Sequence, residues 1–372
     1  MSSSNTLFPL GGPVDENDIV GREDFLKSIQ ARLADGQSIM LTGPRRIGKT
    51  SLALETLRRL KKEGCYVASV DFFRVSTKRE LATAIIDACL ENRTGIRRTM
   101  DALMGGIKTV TNATKLAMKL QGLEFSFSFP DKETSDDLLF SYALDLPQKL
   151  AVVDKKQMVV VLDEFQDAAR IVGDGVFKLM RSHFQVQNKA NYLFLGSKEG
   201  LMNNIFAGSD QAFYRFATIL PLPPISLAAW LDYIKKKFED RGICCNEQTI
   251  QEIIKISGGH PQDTMLVCSE IYYLLLETGE RCLSLEAVQL GTQRALASLT
   301  PVFDGILDEL GPAKRILIRL VQEASLYERG THPNEIKRMI DMLINKGILE
   351  KMERGTYNFV EPLLKDYLLK VI

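Results

Sequence analysis

The chain of 372 residues is long enough for more than one domain, and its 45% apolar residues can fill real cores. Lys+Arg and Asp+Glu both number 47, so the overall charge favours neither a nucleic-acid nor a membrane partner. Six cysteines without a C-x-x-C pair, and three histidines, argue against structural zinc. Scattered free cysteines, a start ("MSSSNTLFPLGG") unlike a signal peptide and no run near the ~18 apolar residues of a membrane span predict a cytoplasmic protein with no transmembrane segment.

In chain order, "SIMLT" (Ser38–Thr42) is a short apolar run that predicts a buried parallel strand. It feeds "GPRRIGKTS", in which Gly43, Gly48, Lys49 and Thr50 hold the spacing G-x-x-x-x-G-K-[ST]. A polyphosphate needs many donors aimed inward and a cation against its charge. The loop of Gly43, Pro44, Arg45, Arg46, Ile47, Gly48, Lys49, Thr50 and Ser51 offers successive N–H groups, and the helix after it points its positive end at the phosphates. Lys49 is expected to reach the β- and γ-phosphates and the Thr50 hydroxyl to ligate Mg²⁺. "TSLALETLRRLKKEG" (Thr50–Gly64), apolar at Leu52, Leu54, Leu57 and Leu60 and stopped by a glycine, is that helix.

"CYVASVDFF" (Cys65–Phe73) predicts a second strand and Arg79–Glu91 a helix. Residues 92–137 are material that a minimal nucleotide fold does not need. Within them Met100–Gly122 has helical periodicity weakened by glycine and threonine, and Leu123–Phe129 alternates apolar with polar. This insertion is read either as a cap on one sheet edge or as an interaction element for a partner or membrane surface.

Helix Leu138–Val153 leads to "MVVVLDEFQD" (Met158–Asp167), an apolar strand ending in two acids. Asp163, at the carboxyl end of a central strand, suits Mg²⁺, and Glu164 suits a base that orients and deprotonates an attacking water. Helix Phe177–Gln187, strand "NYLFLGS" ending at Ser197 and strand "ATILPL" complete a parallel sheet with nucleotide at its strand ends. From 222 the pattern turns helical: Leu227–Arg241, Glu247–Ser257, Gln262–Glu277 and Ser284–Ser298.

From Pro301 a third unit is expected. "PAKRILIRLVQE" is a helix; "HPNEIKRMIDMLINKG" is another, with Pro333 at its first position and Ile336, Met339, Ile340, Leu343 and Ile344 on one face. "ILEKMERGTYNFV" gives two short strands around Gly355. Helix, helix and hairpin make a winged-helix pattern. Exposed Asn334, Lys337, Arg338 and Asp341 would face DNA if the helix entered a major groove. The connection Ala324–His332 is too short for a full middle helix, and winged helices serve equally as protein-docking modules or clamps.

"PLGGPV", "VGRE" (Val20–Glu23), "GPRRIGKTS", "LDEFQD", "LGS" (Leu195–Ser197) and "GGHP" (Gly258–Pro261), in that order, resemble the P-loop ATPase family found mainly in archaea, beside the STAND and origin-recognition ATPases of the AAA+ group. The resemblance implies an AAA+-like α/β core over 1–221, a helical lid over 222–300 that closes on adenine, and a winged helix over 301–372. It implies ATP and Mg²⁺ as ligands, Ile19, Val20 and Gly21 against the adenine, and Ser197 as γ-phosphate sensor. Arg215 stands where AAA+ proteins carry an arginine finger acting on a neighbouring copy, which implies a homo-oligomer. His260 and Pro261 match the Gly-x-Pro element of STAND proteins, near the phosphates; the usual lid arginine is not evident.

Three functions follow as expectations. The first is an ATPase switch whose ATP state closes the lid, moves the winged helix and favours assembly. The second is a DNA-bound regulator that uses ATP as a ligand with little turnover. The third is a scaffold or membrane-surface protein acting through residues 100–130. A metabolic kinase is disfavoured because no acceptor site is evident.

Overall fold

A computed structural model describes residues 6–92, 135–326, 332–353 and 355–371. The expected helix Met100–Gly122 and strand Leu123–Phe129 lie outside the described residues, as does most of the 92–137 insertion.

Five parallel strands form one sheet: β1 (Ile39–Thr42), β2 (Tyr66–Asp71), β3 (Met158–Asp163), β4 (Ala190–Phe194) and β5 (Thr218–Pro221), in the order β2-β3-β4-β1-β5. The core strands β1, β3 and β4 are buried along nearly their whole length because both faces are covered, and the one polar interruption, Asn191, donates to Leu33 O at 2.9 Å. Along β3, Val159 and Val161 face a core with α1 (Glu23–Ala34) and α2 (Lys49–Lys62). Met158, Val160 and Leu162 face the opposite core, with α3 (Lys78–Leu90), α4 (Asp136–Val153), α6 (Val176–Phe184) and α7 (Glu199–Ala207). Between β3 and α6 runs the one-turn α5 (Ala168–Val172). Helix α4 carries Pro147 in its interior and is capped by Ser135, which accepts from Leu138 N.

The helical region comprises α8 (Leu227–Glu239), α9 (Glu247–Ser257), α10 (Pro261–Thr278) and α11 (Leu285–Glu309), followed by α12 (Lys314–Val321), α13 (Pro333–Asn345), the antiparallel pair β6 (Leu349–Glu353) and β7 (Thr356–Phe359), and α14 (Pro362–Val371). One apolar core runs through all of it, from Trp230 to Leu368. Helix α11 corrects the expected stop at Ser298: it continues through Pro301 to Glu309. Burial of Phe303 and Leu307 outweighs the missing proline donor. Helix α14 was not anticipated; its Leu363, Leu364 and Leu368 complete the same core.

A second correction concerns cysteine. Cys244 and Cys282 form a disulfide across 38 residues, whereas Cys65, Cys89, Cys245 and Cys268 are free. Two short extended segments lie side by side there, with Cys244 N donating to Arg281 O at 2.8 Å and Leu283 N to Cys244 O at 2.7 Å. Sequence spacing gives no hint of that pairing. No helix among the described residues is long and apolar enough to cross a membrane.

Candidate functional site

The phosphate loop leaves β1 at Thr42 and enters α2 at Lys49. Gly43 (φ 149°) and Gly48 (φ 98°) adopt backbone angles that residues with a Cβ rarely reach. A Cβ at Gly48 would also meet Arg22 Nη1 at 3.0 Å. Arg22 is buried, donates to the Ile47 carbonyl and reaches Pro223 O at 3.2 Å. Burial pushes its guanidinium down to about 10. The loop is therefore braced from below by the arginine of "VGRE", a role that no local sequence signal announces.

Lys49 Nζ folds onto the loop itself, donating to Gly43 O and Pro44 O at 2.6 Å each. Burial lowers its ammonium to about 8, against the opposing pull of Glu164, Glu199 and Asp163. Thr50 Oγ1 donates to Asp163 Oδ2 at 2.8 Å. Burial raises the Asp163 carboxyl above the usual range, while the hydrogen bonds from Thr50 and from Glu164 N pull it back. This hydroxyl and carboxylate fit a hard cation that takes few protein ligands and completes its shell with phosphate and water. The described residues contain no cluster of three or more His, Cys, Asp or Glu ligands, as a protein-caged metal needs.

Glu164 follows β3 in a left-handed conformation (φ 53°), a strain that non-glycine residues keep where the surroundings enforce it. Its Oε2 accepts from Ser197 Oγ at 2.7 Å, from Ser197 N at 3.3 Å and from Gln166 Nε2. Gly196 is required beside it, because a Cβ there would lie 2.3 Å from Gln166 Oε1. Ser51 Oγ accepts from Val14 N at 3.1 Å, so the "PLGGPV" lead-in crosses the mouth.

These groups line a cleft of about 630 Å³, whose apolar end is formed by Ile19, Val20, Ile225, Trp230 and Met265, with Pro261 alongside. Gly21 (φ 63°) allows α8 to approach: a Cβ there would meet Ala229 Cβ at 2.6 Å. The fold thus brings together Ile19, Val20, Arg45, Arg46, Ile47, Gly48, Lys49, Thr50, Ser51, Asp163, Glu164 and Ser197.

His260 differs from expectation. Its Nε2 lies 3.2 Å from Arg45 O and its Nδ1 3.5 Å from Asp263 Oδ1, so it contacts the loop backbone and does not line the cleft. Asp263 in turn accepts from Leu363 N at 3.1 Å, linking α10 to α14. Arg215 is exposed and left-handed (φ 56°) beside the amino end of β5, where a separate cavity is lined by Gly36, Gln37 and Ser38 ahead of β1. It is remote from this chain's own cleft, which opens at the strands' carboxyl ends. Asn334, Lys337 and Arg338 are exposed on α13, away from its apolar face. A further cavity of about 390 Å³ lies between the core and the C-terminal elements, bordered by Arg45, Glu164 and Ser197 on one side and Asn345, Ile348 and Leu364 on the other.

A parallel sheet with a braced phosphate loop, and a Thr50–Asp163 pair beside Glu164, defines a P-loop nucleotide-binding protein. A family model described as "ATPase domain predominantly from Archaea" matches residues 19–267, and the chain belongs to that family. Among curated proteins, none is similar enough in sequence to serve as a relative. The fold is similar to the Walker-type ATPase PABY2304 of Pyrococcus abyssi (TM-score 0.69, 17% identity, 98% of this chain and 100% of that one). It is similar also to the ORC2 protein of Aeropyrum pernix in its ADPNP–ADP complexes (0.57, 18%, 96% and 95%). The ORC1 protein of Aeropyrum pernix in complex with DNA gives 0.50 at 14% identity, with 95% and 93% covered. The core is thus an ORC/Cdc6-type P-loop fold.

Proposed function

We propose that the chain is an Mg²⁺-dependent ATPase of the AAA+/STAND type that works as a molecular switch. The carrying observation is the convergence of two hydrogen-bonded pairs at the phosphate loop, Thr50–Asp163 at 2.8 Å and Ser197–Glu164 at 2.7 Å. Thr50 and Asp163 would hold Mg²⁺, which would offset phosphate charge. Lys49 leaves its carbonyl partners for the β- and γ-phosphates. Glu164 orients a water and takes its proton. The water oxygen bonds to Pγ, the bond from Pγ to the β–γ bridging oxygen breaks, and ADP and phosphate result. Ser197 reports the γ-phosphate to Glu164.

The core spans 1–221, the lid 222–300 and a winged helix 301–372. The contact of His260 with Arg45 O and of Asp263 with Leu363 N supports coupling between loop, lid and C-terminal helix. Arg215, remote from its own cleft, acts on a neighbouring copy when the chain assembles. Exposed Asn334, Lys337 and Arg338 support a DNA-contacting second reading, in which ATP is a ligand with little turnover. A cytoplasmic location follows from this role.

The test is to identify the nucleotide that copurifies, then to measure phosphate release with Mg²⁺ or EDTA, with and without duplex DNA. Mg²⁺-dependent release supports the switch; retained ATP with negligible release on or off DNA supports the second reading.

A further inference from the structure

Arg45 and Arg46 are adjacent in the phosphate loop, yet the fold uses them differently. Arg46, left-handed at φ 61°, pairs with Glu361 at 3.0 Å. The Arg45 guanidinium makes no hydrogen bond or ion pair with any described residue. Its stem lies along Gly347, in the turn after α13, where a Cβ would meet Arg45 Cδ at 3.2 Å and Cγ at 3.5 Å. From that support the side chain borders both the nucleotide cleft and the cavity beside the C-terminal elements, which share Glu164 and Ser197. Its charge also opposes protonation of Lys49. The neighbouring cations are engaged elsewhere: Lys346 with Glu309 at 3.1 Å and Lys198 with Asp167 at 3.6 Å. The far wall of the shared cavity is the chain's own C-terminal unit.

We propose that Arg45 is a catalytic residue acting in cis, its guanidinium binding the γ-phosphoryl oxygens while Gly347 holds its stem within reach. This rests on the ATPase reading above. The planar, permanently charged fork suits phosphate oxygens and takes no proton in the step. Glu164 takes the water proton and ADP leaves as before; Arg45 neutralises charge on the oxygens in flight. Basal turnover by a single chain thus needs Arg45, and turnover stimulated by assembly adds Arg215.

The experiment uses the full chain at dilution, with single-turnover ATP hydrolysis and separate binding of ADP and ATPγS, for wild type, Arg45→Ala, Arg45→Lys and Gly347→Asn. Arg45→Ala is expected to bind ADP within about twofold of wild type, lose its preference for ATPγS and turn over about 10²–10³-fold more slowly, at or below the range of GTPase fingers. Arg45→Lys recovers part of the rate as a point charge without the fork. Gly347→Asn, tolerant of positive φ, displaces the stem and slows turnover without weakening ADP. Wild-type turnover in Arg45→Ala, or equal loss of ADP and ATPγS affinity, overturns the proposal. Wild-type turnover in Gly347→Asn overturns the supporting role of Gly347. If the wild type itself does not hydrolyse ATP, the ATPase reading falls, and Arg45 is judged on the ratio of ATPγS to ADP affinity: a ratio unchanged by Arg45→Ala overturns it.

Discussion

Ser197 Oγ donates to Glu164 Oε2 at 2.7 Å, so the residue proposed to sense γ-phosphate holds the carboxylate proposed to accept a proton. A γ-phosphate that draws off the Ser197 hydroxyl frees that carboxylate for water. Glu164→Gln preserves shape and removes the base, so ATP stays bound while hydrolysis slows by about 10²–10⁴-fold. Ser197→Ala keeps ATP affinity and slows turnover less. Normal turnover in the glutamine variant, read as phosphate release in a single-turnover assay, places the base elsewhere.

Lys49 sets a pH dependence. With its ammonium near 8 and an ordinary value of 10.5, it is largely uncharged above pH 8 in the nucleotide-free protein. Phosphates favour the charged form, so ATP binding takes up a proton there, and affinity falls as pH rises, by at most about tenfold per unit. Folding shows the opposite sign. A lysine whose folded value lies below its unfolded one adds stability as pH climbs from 8 to 10.5. Titration calorimetry in buffers of different ionisation heat counts the protons. Lys49→Ala abolishes binding or turnover, and unchanged ATPase activity would sink the phosphate-loop reading.

DNA contact through α13 carries a salt signature. Phosphate contacts release counterions, so affinity drops steeply between low and moderate salt, and Lys337→Ala with Arg338→Ala reduces that slope by about two. Fluorescence anisotropy of a labelled duplex measures it. If no binding is seen at low salt in either nucleotide state, the C-terminal unit is a docking or clamp module.

Arg215 is tested by mixing. Arg215→Ala should bind ATP normally and lose only the part of turnover that grows with protein concentration. Combined with Lys49→Ala, it should regain some of that part, since each chain supplies what the other lacks. Concentration-independent turnover by a strict monomer, with Arg215→Ala fully active, removes the trans role.

Much of the core was legible because its signals are local. The loop spacing, the apolar run into Asp163 and the strand ending at Ser197 each report a strand that carries a group to one sheet edge. What stayed hidden depends on distant contacts. Arg22 braces Ile47 across 25 residues and Pro223 across 201, and nothing in "VGRE" announces either. His260 meets the Arg45 carbonyl 215 residues away, a contact that no local signal announces. The Cys244–Cys282 bond and the continuation of α11 past Ser298 also depend on distant contacts: a 38-residue separation is invisible in spacing, and Pro301 reads locally as a break that burial overrides.

The continuity of α11 has a mechanical consequence. At 25 residues and 1.5 Å per residue it spans about 37 Å, from the helices that follow β5 to α14, where Phe303 meets Tyr367. With Phe303 and Leu307 in the same core as Trp230, the parts of the helix on either side of Pro301 belong to one packed unit. Any motion of the helices around Trp230 would therefore carry the exposed face of α13 with it, and would be felt at the phosphate loop through the Arg46–Glu361 pair.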